Sequence, residues 1–116
     1  MSESHKILAG VSMFALGQLL GWFQLNSQLM WEWWSEKPFM SAIIFGIPTS
    51  MCFWFGWKLL SSALDSVWSA RFIGSCIGLM IFPVLTWAFL GESMFTTKTL
   101  SCFCLSIIII LIQVFT

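Results

Sequence analysis

The sequence predicts an all-α membrane protein, with four transmembrane helices in a compact bundle that form a single domain over residues 1–116. Three observations lead there. The first is composition: of 116 residues, 59% are hydrophobic, 17% aromatic and 9% charged, where an average soluble domain carries about 25% charged residues. Mean hydropathy is +0.91. The second is the placement of the charges, which are Glu3, Lys6, Glu32, Glu36, Lys37, Lys58, Asp65, Arg71, Glu92 and Lys98. They leave charge-free runs at 7–31, 38–57, 72–91 and 99–116, each close to the roughly 20 residues that cross a hydrocarbon core about 30 Å thick. The third is tryptophan. Trp22, Trp31, Trp33, Trp34 and Trp87 fall toward one side and Trp54, Trp57 and Trp68 toward the other, the two belts expected of rings that prefer the headgroup layer.

Backbone in lipid must satisfy its own hydrogen bonds, which leaves helices and closed barrels. A barrel strand needs alternating polarity, and Ile107-Ile108-Ile109-Ile110-Leu111-Ile112 has none. The predicted helices are therefore near 7–25, 38–59, 67–90 and 99–115. A composition this apolar excludes a disordered tail and a coiled coil. Formal net charge of zero removes the electrostatic basis for binding nucleic acid. The expected environment is the lipid bilayer. With four crossings both ends share a side, which carries Lys6, Lys58 and Arg71 against Lys37 and Lys98 opposite. The positive-inside rule then favours cytoplasmic termini in a cell membrane by one charge. So small a bias leaves two readings open: orientation by other signals, or dual topology with copies inserted both ways.

The first span winds Gly10, Gly17, Gly21, Gln24 and Gln28 into one arc of about 60°, at about 100° per residue. Gly17 and Gly21 are four apart, the spacing that lets membrane helices approach closely. A second line, Gln18, Trp22 and Asn26, lies roughly 130° around. Amides are unfavourable in lipid unless paired, so this line should face the bundle interior. It is either a polar and aromatic substrate path or interhelical hydrogen-bond glue.

The second span opens at Pro38, where a missing N–H costs nothing, and carries Gly46-Ile47-Pro48-Thr49-Ser50 at its centre. Pro48 frees the carbonyl of Ile44, so a kink is expected there, useful for gating or simply for packing. Thr49 and Ser50 can re-satisfy part of the freed backbone. In the third span Asp65-Ser66 form a cap pair. Arg71 lies one turn in, either snorkelling to the headgroups or aimed into a cavity mouth to meet Asp65 or an anionic solute. Gly74 and Gly78 make a second close-contact face, and Pro83 is the second kink and gating candidate. The fourth span is aliphatic from Ile107 to Ile112, which suits a lipid-facing helix or a subunit contact.

Nothing in this inventory suggests an enzyme. Catalysis needs a nucleophile with a base, or paired acids, in hydrogen-bond reach, and no span holds an internal carboxylate, His or Lys. Cys52, Cys76, Cys102 and Cys104 show no metal-ligand spacing, and His5 lies in the N-terminal segment. The thiols are expected to pack as small apolar groups, with no metal, no disulfide and no cofactor.

The segment Pro83-Val84-Leu85-Thr86-Trp87-Ala88-Phe89-Leu90-Gly91-Glu92, followed by a polar link and an aliphatic helix, resembles the closing hairpin of the drug/metabolite transporter superfamily. The clear match covers residues 83–113, with Gly91 and Glu92 as the hairpin turn. Four short helices in so small a chain are also similar to the small multidrug resistance family, whose members act as homodimers, often antiparallel. The resemblance implies a homodimeric transporter of small solutes. One departure matters: that family exchanges protons for cations on a first-helix glutamate. Here the first span holds Gln18 and Gln24, which do not titrate. The expected transporter is therefore uncoupled, differently coupled, or specific for neutral or zwitterionic solutes. Its site would be lined by Gln18, Trp22, Asn26 and Arg71. The other reading is a non-transporting structural or accessory subunit that docks a larger membrane protein through its glycine faces and fourth helix.

Overall fold

A computed structural model describes residues 2–115. Those residues form four helices long and apolar enough to cross a membrane, with no strand among them: α1 (Glu3–Met30), α2 (Pro38–Leu64), α3 (Val67–Leu90) and α4 (Thr97–Phe115). The long axis of 45 Å matches the 28 residues of α1, about 42 Å at about 1.5 Å per residue. The short axis of 19 Å leaves room for about two helix layers.

α1 begins four residues before its predicted start and ends five after its predicted stop. Ser2 accounts for the start, because its hydroxyl accepts from the His5 N–H at 3.3 Å and satisfies one of the orphan donors of a first turn. At the far end the run Gln24-Leu25-Asn26-Ser27-Gln28 continues as helix until Trp31 turns extended. Trp31 leads into a single 3-10 turn over Glu32–Trp34. The α1–α2 connection is therefore short and tight.

Pro48 acts on α2 one turn upstream of itself. Residues Ala42–Gly46 form a π turn, in which the Ile47 N–H donates to the Ala42 carbonyl. Widening the turn removes the clash that a proline ring makes with the carbonyl four residues back. Thr49 donates its hydroxyl to the Phe45 carbonyl at 2.6 Å, next to the Ile44 carbonyl that Pro48 frees and not to it. Ser50 is exposed and makes no side-chain hydrogen bond among the described residues. α2 runs to Leu64 and closes on Asp65 in the left-handed conformation, φ 51°. The Ser66 N–H reaches back to the Ser61 carbonyl at 3.3 Å, a Schellman closure. Ser66 in turn caps α3 by accepting from the Ser69 N–H at 3.1 Å. The expected cap pair thus divides its labour: Asp65 ends one helix and Ser66 starts the next.

Contacts fix the directions. Gly10 lies against Leu60, Gly17 against Phe53, Gly21 against Thr49, and Gly46 against Gln24, so α1 and α2 are antiparallel. Gly74 lies against Phe14, Gly78 against Gln18, and Trp22 meets Thr86, so α1 and α3 run parallel. Both predicted glycine faces are therefore filled from within the chain. Their use follows from the bilayer, where association rests on close van der Waals packing because apolar surface gains nothing by leaving lipid. Phe14, Leu60, Ala70, Ile73 and Ile77 form the buried core, toward the end where α2 turns into α3.

α4 stands apart. It packs on α3, and Ser69 donates to Gln113 at 2.8 Å, which makes the two antiparallel. On α4 itself Ser106 alone among the described residues is buried. The turn before it opens on Gly91 in the left-handed region, φ 73°, a conformation that glycine adopts at little cost. Glu92 is exposed and makes no side-chain hydrogen bond among the described residues. The cap of α4 is Thr96, whose hydroxyl accepts from the Thr99 N–H at 3.2 Å.

Of the tryptophans expected in two belts, Trp31, Trp33, Trp54, Trp68 and Trp87 are exposed on the outside of the bundle, and Trp57 is half-buried. The expectation fails for Trp22 and Trp34, which are buried. Each has a partner surface that the sequence alone does not display: Phe23 and Phe89 around Trp22, Trp33 and Phe45 around Trp34.

Candidate functional site

The polar line of α1 faces α3, and its members do different work. Trp22 is 2% exposed and donates its indole N–H to the Thr86 hydroxyl at 3.0 Å. Asn26, also buried, donates to the Trp22 carbonyl one turn back in its own helix at 3.0 Å. Gln18 reaches the Gly74 carbonyl over a long 3.5 Å and lies over Gly78, where a Cβ would come within 2.7 Å of its amide. Trp22 and Asn26 are thus satisfied within the protein. Gln18 is held loosely, against a surface made of backbone.

Three cavities follow α1, two of them between α2 and α3 and the third beside the α1–α2 connection. The middle one, of about 290 Å³, is bordered by Gln18, Trp22, Gln24, Thr49, Phe53 and Phe82 among others. A second, of about 160 Å³, adjoins Gln18 and Phe53 and ends at Arg71 and Ser75. A third, of about 190 Å³, adjoins Gln24 and Leu25 and ends at Trp34 and Lys37. Neighbouring cavities share lining side chains, so the three lie in a row along α1, which we call the groove. Gln18 and Phe53 border both chambers on the Arg71 side, and Gln24 and Leu25 border both on the Lys37 side. Ligand pockets are commonly about 300–1,000 Å³, which puts the middle chamber at the small-solute end.

Of the predicted path residues, the structure brings Gln18, Trp22 and Arg71 onto this groove, while Asn26 borders none of the three cavities. Arg71 is exposed and makes no ion pair with Asp65 among the described residues, where the one ion pair is Lys6–Glu3 at 3.7 Å. Pro48 and Pro83 border none of these cavities. Pro48 acts through the π turn, whose last residue, Gly46, makes room for the Gln24 amide.

Sequence reasoning missed Phe53, Gln24 and Trp34 as groove residues. Phe53 carried no signal, being one of twelve phenylalanines. Gln24 was visible on the glycine arc, and its spacing gave no hint that it would border two chambers. Trp34 is 9% exposed, and its indole N–H has no acceptor among the described residues. A donor buried without a partner costs about 1–3 kcal/mol. Cys52 and Cys76 pack inside as expected, whereas Cys102 and Cys104 are exposed on α4. No protein-family model, curated protein or solved structure matches the chain.

Proposed function

We propose that the chain is a homodimeric transporter of small solutes in a cell membrane, working through the groove along α1. One observation carries the reading: three adjoining cavities follow a single helix from Arg71 to Lys37, residues near opposite ends of the bundle. Polar groups needed only as glue would be fully paired, and a buried amide without a good partner is costly. Gln18 instead holds one long bond beside open space. The hairpin resemblance at residues 83–113 supports the same class.

A groove walled by α2 and α3 has an open side, and a second copy is the simplest cover for it. The charge count of three against two suits either orientation of that copy, with cytoplasmic termini favoured by one charge. In this reading the protein is not an enzyme, and its polar side chains bind rather than react. Purified chain in liposomes should take up at least one small organic solute faster than protein-free vesicles. Background flux across amines, amino acids, sugars and organic anions would overturn the proposal.

A second reading has its own observation. Among the described residues of α4 only Ser106 is fully buried, and most of its apolar surface stays open, as expected of a helix that docks a larger membrane protein. A stoichiometric partner retained through purification, with no flux, would favour an accessory subunit.

A further inference from the structure

Every charge that borders the groove is positive. Arg71 closes one end and Lys37 the other, and Lys58 borders a recess that shares Phe53 with the groove. No carboxylate lines any of these spaces. The five acidic residues are all exposed: Glu3 beside Lys6, Glu32 and Glu36 in the connection before Lys37, Asp65 in the turn before Arg71, and Glu92 in the last turn. Between the cations the polar lining consists of amides and hydroxyls. The Gln24 amide, lying over Gly46, makes no side-chain hydrogen bond among the described residues.

We propose that the groove selects small organic anions, carboxylates or sulfonates with an apolar body, recognised by Arg71 and Lys37 at its ends and by the Gln18 and Gln24 amides between them. The proposal rests on the transporter reading and puts anions in place of the neutral or zwitterionic solutes that a first helix without glutamate suggests. A cation entering this space leaves its water, meets like charge at both mouths and finds no carboxylate to offset either cost. The aromatic walls do not reverse this. A ring face attracts a cation more weakly than a full charge repels one, and Trp33 and Trp54 already carry Lys37 and Lys58 over their faces at 5.7 and 5.3 Å. An anion gains at both mouths and can accept from amide N–H groups along the way. Its apolar body fits against Trp22, Phe53 and Phe82, which border the middle chamber.

The test uses the full chain in liposomes and three probes of similar size whose net charge is fixed near neutral pH: benzenesulfonate, phenyltrimethylammonium and zwitterionic phenylalanine. Benzenesulfonate should show saturable uptake, and the other two should stay near protein-free background. Arg71→Gln and Lys37→Gln should each raise its half-saturation concentration about tenfold, while Arg71→Lys stays within about threefold. Both positions are exposed, and elution and helix content report whether each variant folds. Uptake of phenyltrimethylammonium or phenylalanine at or above that of benzenesulfonate would overturn anion selection and leave the transporter reading standing. Benzenesulfonate uptake unchanged in both glutamine variants would overturn recognition by these two cations. Background flux for all three probes would overturn the inference, and extending that silence to sugars and amines would overturn the transporter reading as well.

Discussion

Replacing Gly78 with alanine should move the Gln18 amide while leaving the bundle folded. The added methyl would lie 2.7 Å from Gln18 Cδ and Nε2 and 2.8 Å from Oε1, whereas comfortable carbon contacts fall at about 3.5–4.0 Å. The amide therefore has to give way by about 0.7–1.3 Å. It is the free end of a flexible side chain, and one 3.5 Å hydrogen bond to Gly74 holds it. Losing that bond costs about 0.5–1.5 kcal/mol, and glycine to alanine inside a helix returns about 0.8–1 kcal/mol. The two nearly cancel, so net stability should change by less than about 1 kcal/mol. Under the proposed transport, flux should respond much more, because Gln18 and Phe53 border both chambers. A fall of about tenfold corresponds to about 1.4 kcal/mol on the barrier. Helix content followed through a dodecyl sulfate titration in mixed micelles gives the first quantity, and uptake by the same preparation in liposomes gives the second. Destabilisation above about 2 kcal/mol would show that the amide cannot yield. Unchanged flux with unchanged stability would show that Gln18 does not shape the path.

Three further outcomes follow from the same geometry. Gly10→Ala would set a methyl 2.7 Å from Cγ of fully buried Leu60 and should cost about 1–3 kcal/mol in the same titration, whereas Gly21→Ala meets nothing closer than 3.6 Å and should be neutral or gain up to about 1 kcal/mol. Thr86→Val keeps the shape but strands the Trp22 indole N–H, for a loss of about 1–2 kcal/mol that Thr86→Ser should largely recover; a neutral valine variant would show that the hydrogen bond contributes nothing. Gln18→Ala should lower uptake and Cys104→Ala should not, while Asn26→Ala, which removes a bond internal to α1, should register in unfolding rather than in flux.

The readable part of this protein is the part that lipid dictates. Hydrocarbon thickness and the need to pair every backbone group act on composition and run length, and these are one-dimensional properties. The number of helices and the starts of α2 and α3 follow from local rules. Misplaced ends had local causes too: the Ser2 cap, and a polar run in α1 that helix tolerates better than its hydropathy suggests. The candidate site was half legible. Helical winding put Gln18, Trp22 and Asn26 on one line but could not tell which of them would be satisfied inside the protein and which would border open space.

That distinction depends on what stands opposite, and only the folded chain supplies it. Trp22 reads as a belt residue until Thr86 arrives from 64 positions away. Gly74 and Gly78 read as a surface for a second protein until Phe14 and Gln18 fill them. Phe53 acquires a role solely because α2 crosses α1 where Gly17 lets the ring approach. The sequence by itself determined that the chain lives in lipid, how many times it crosses and where it turns, since those follow from transfer free energies summed along a segment. Which faces meet, where space is left between them and which charges border that space were decided by tertiary structure, because close packing between helices is a property of pairs of surfaces and neither surface encodes it alone.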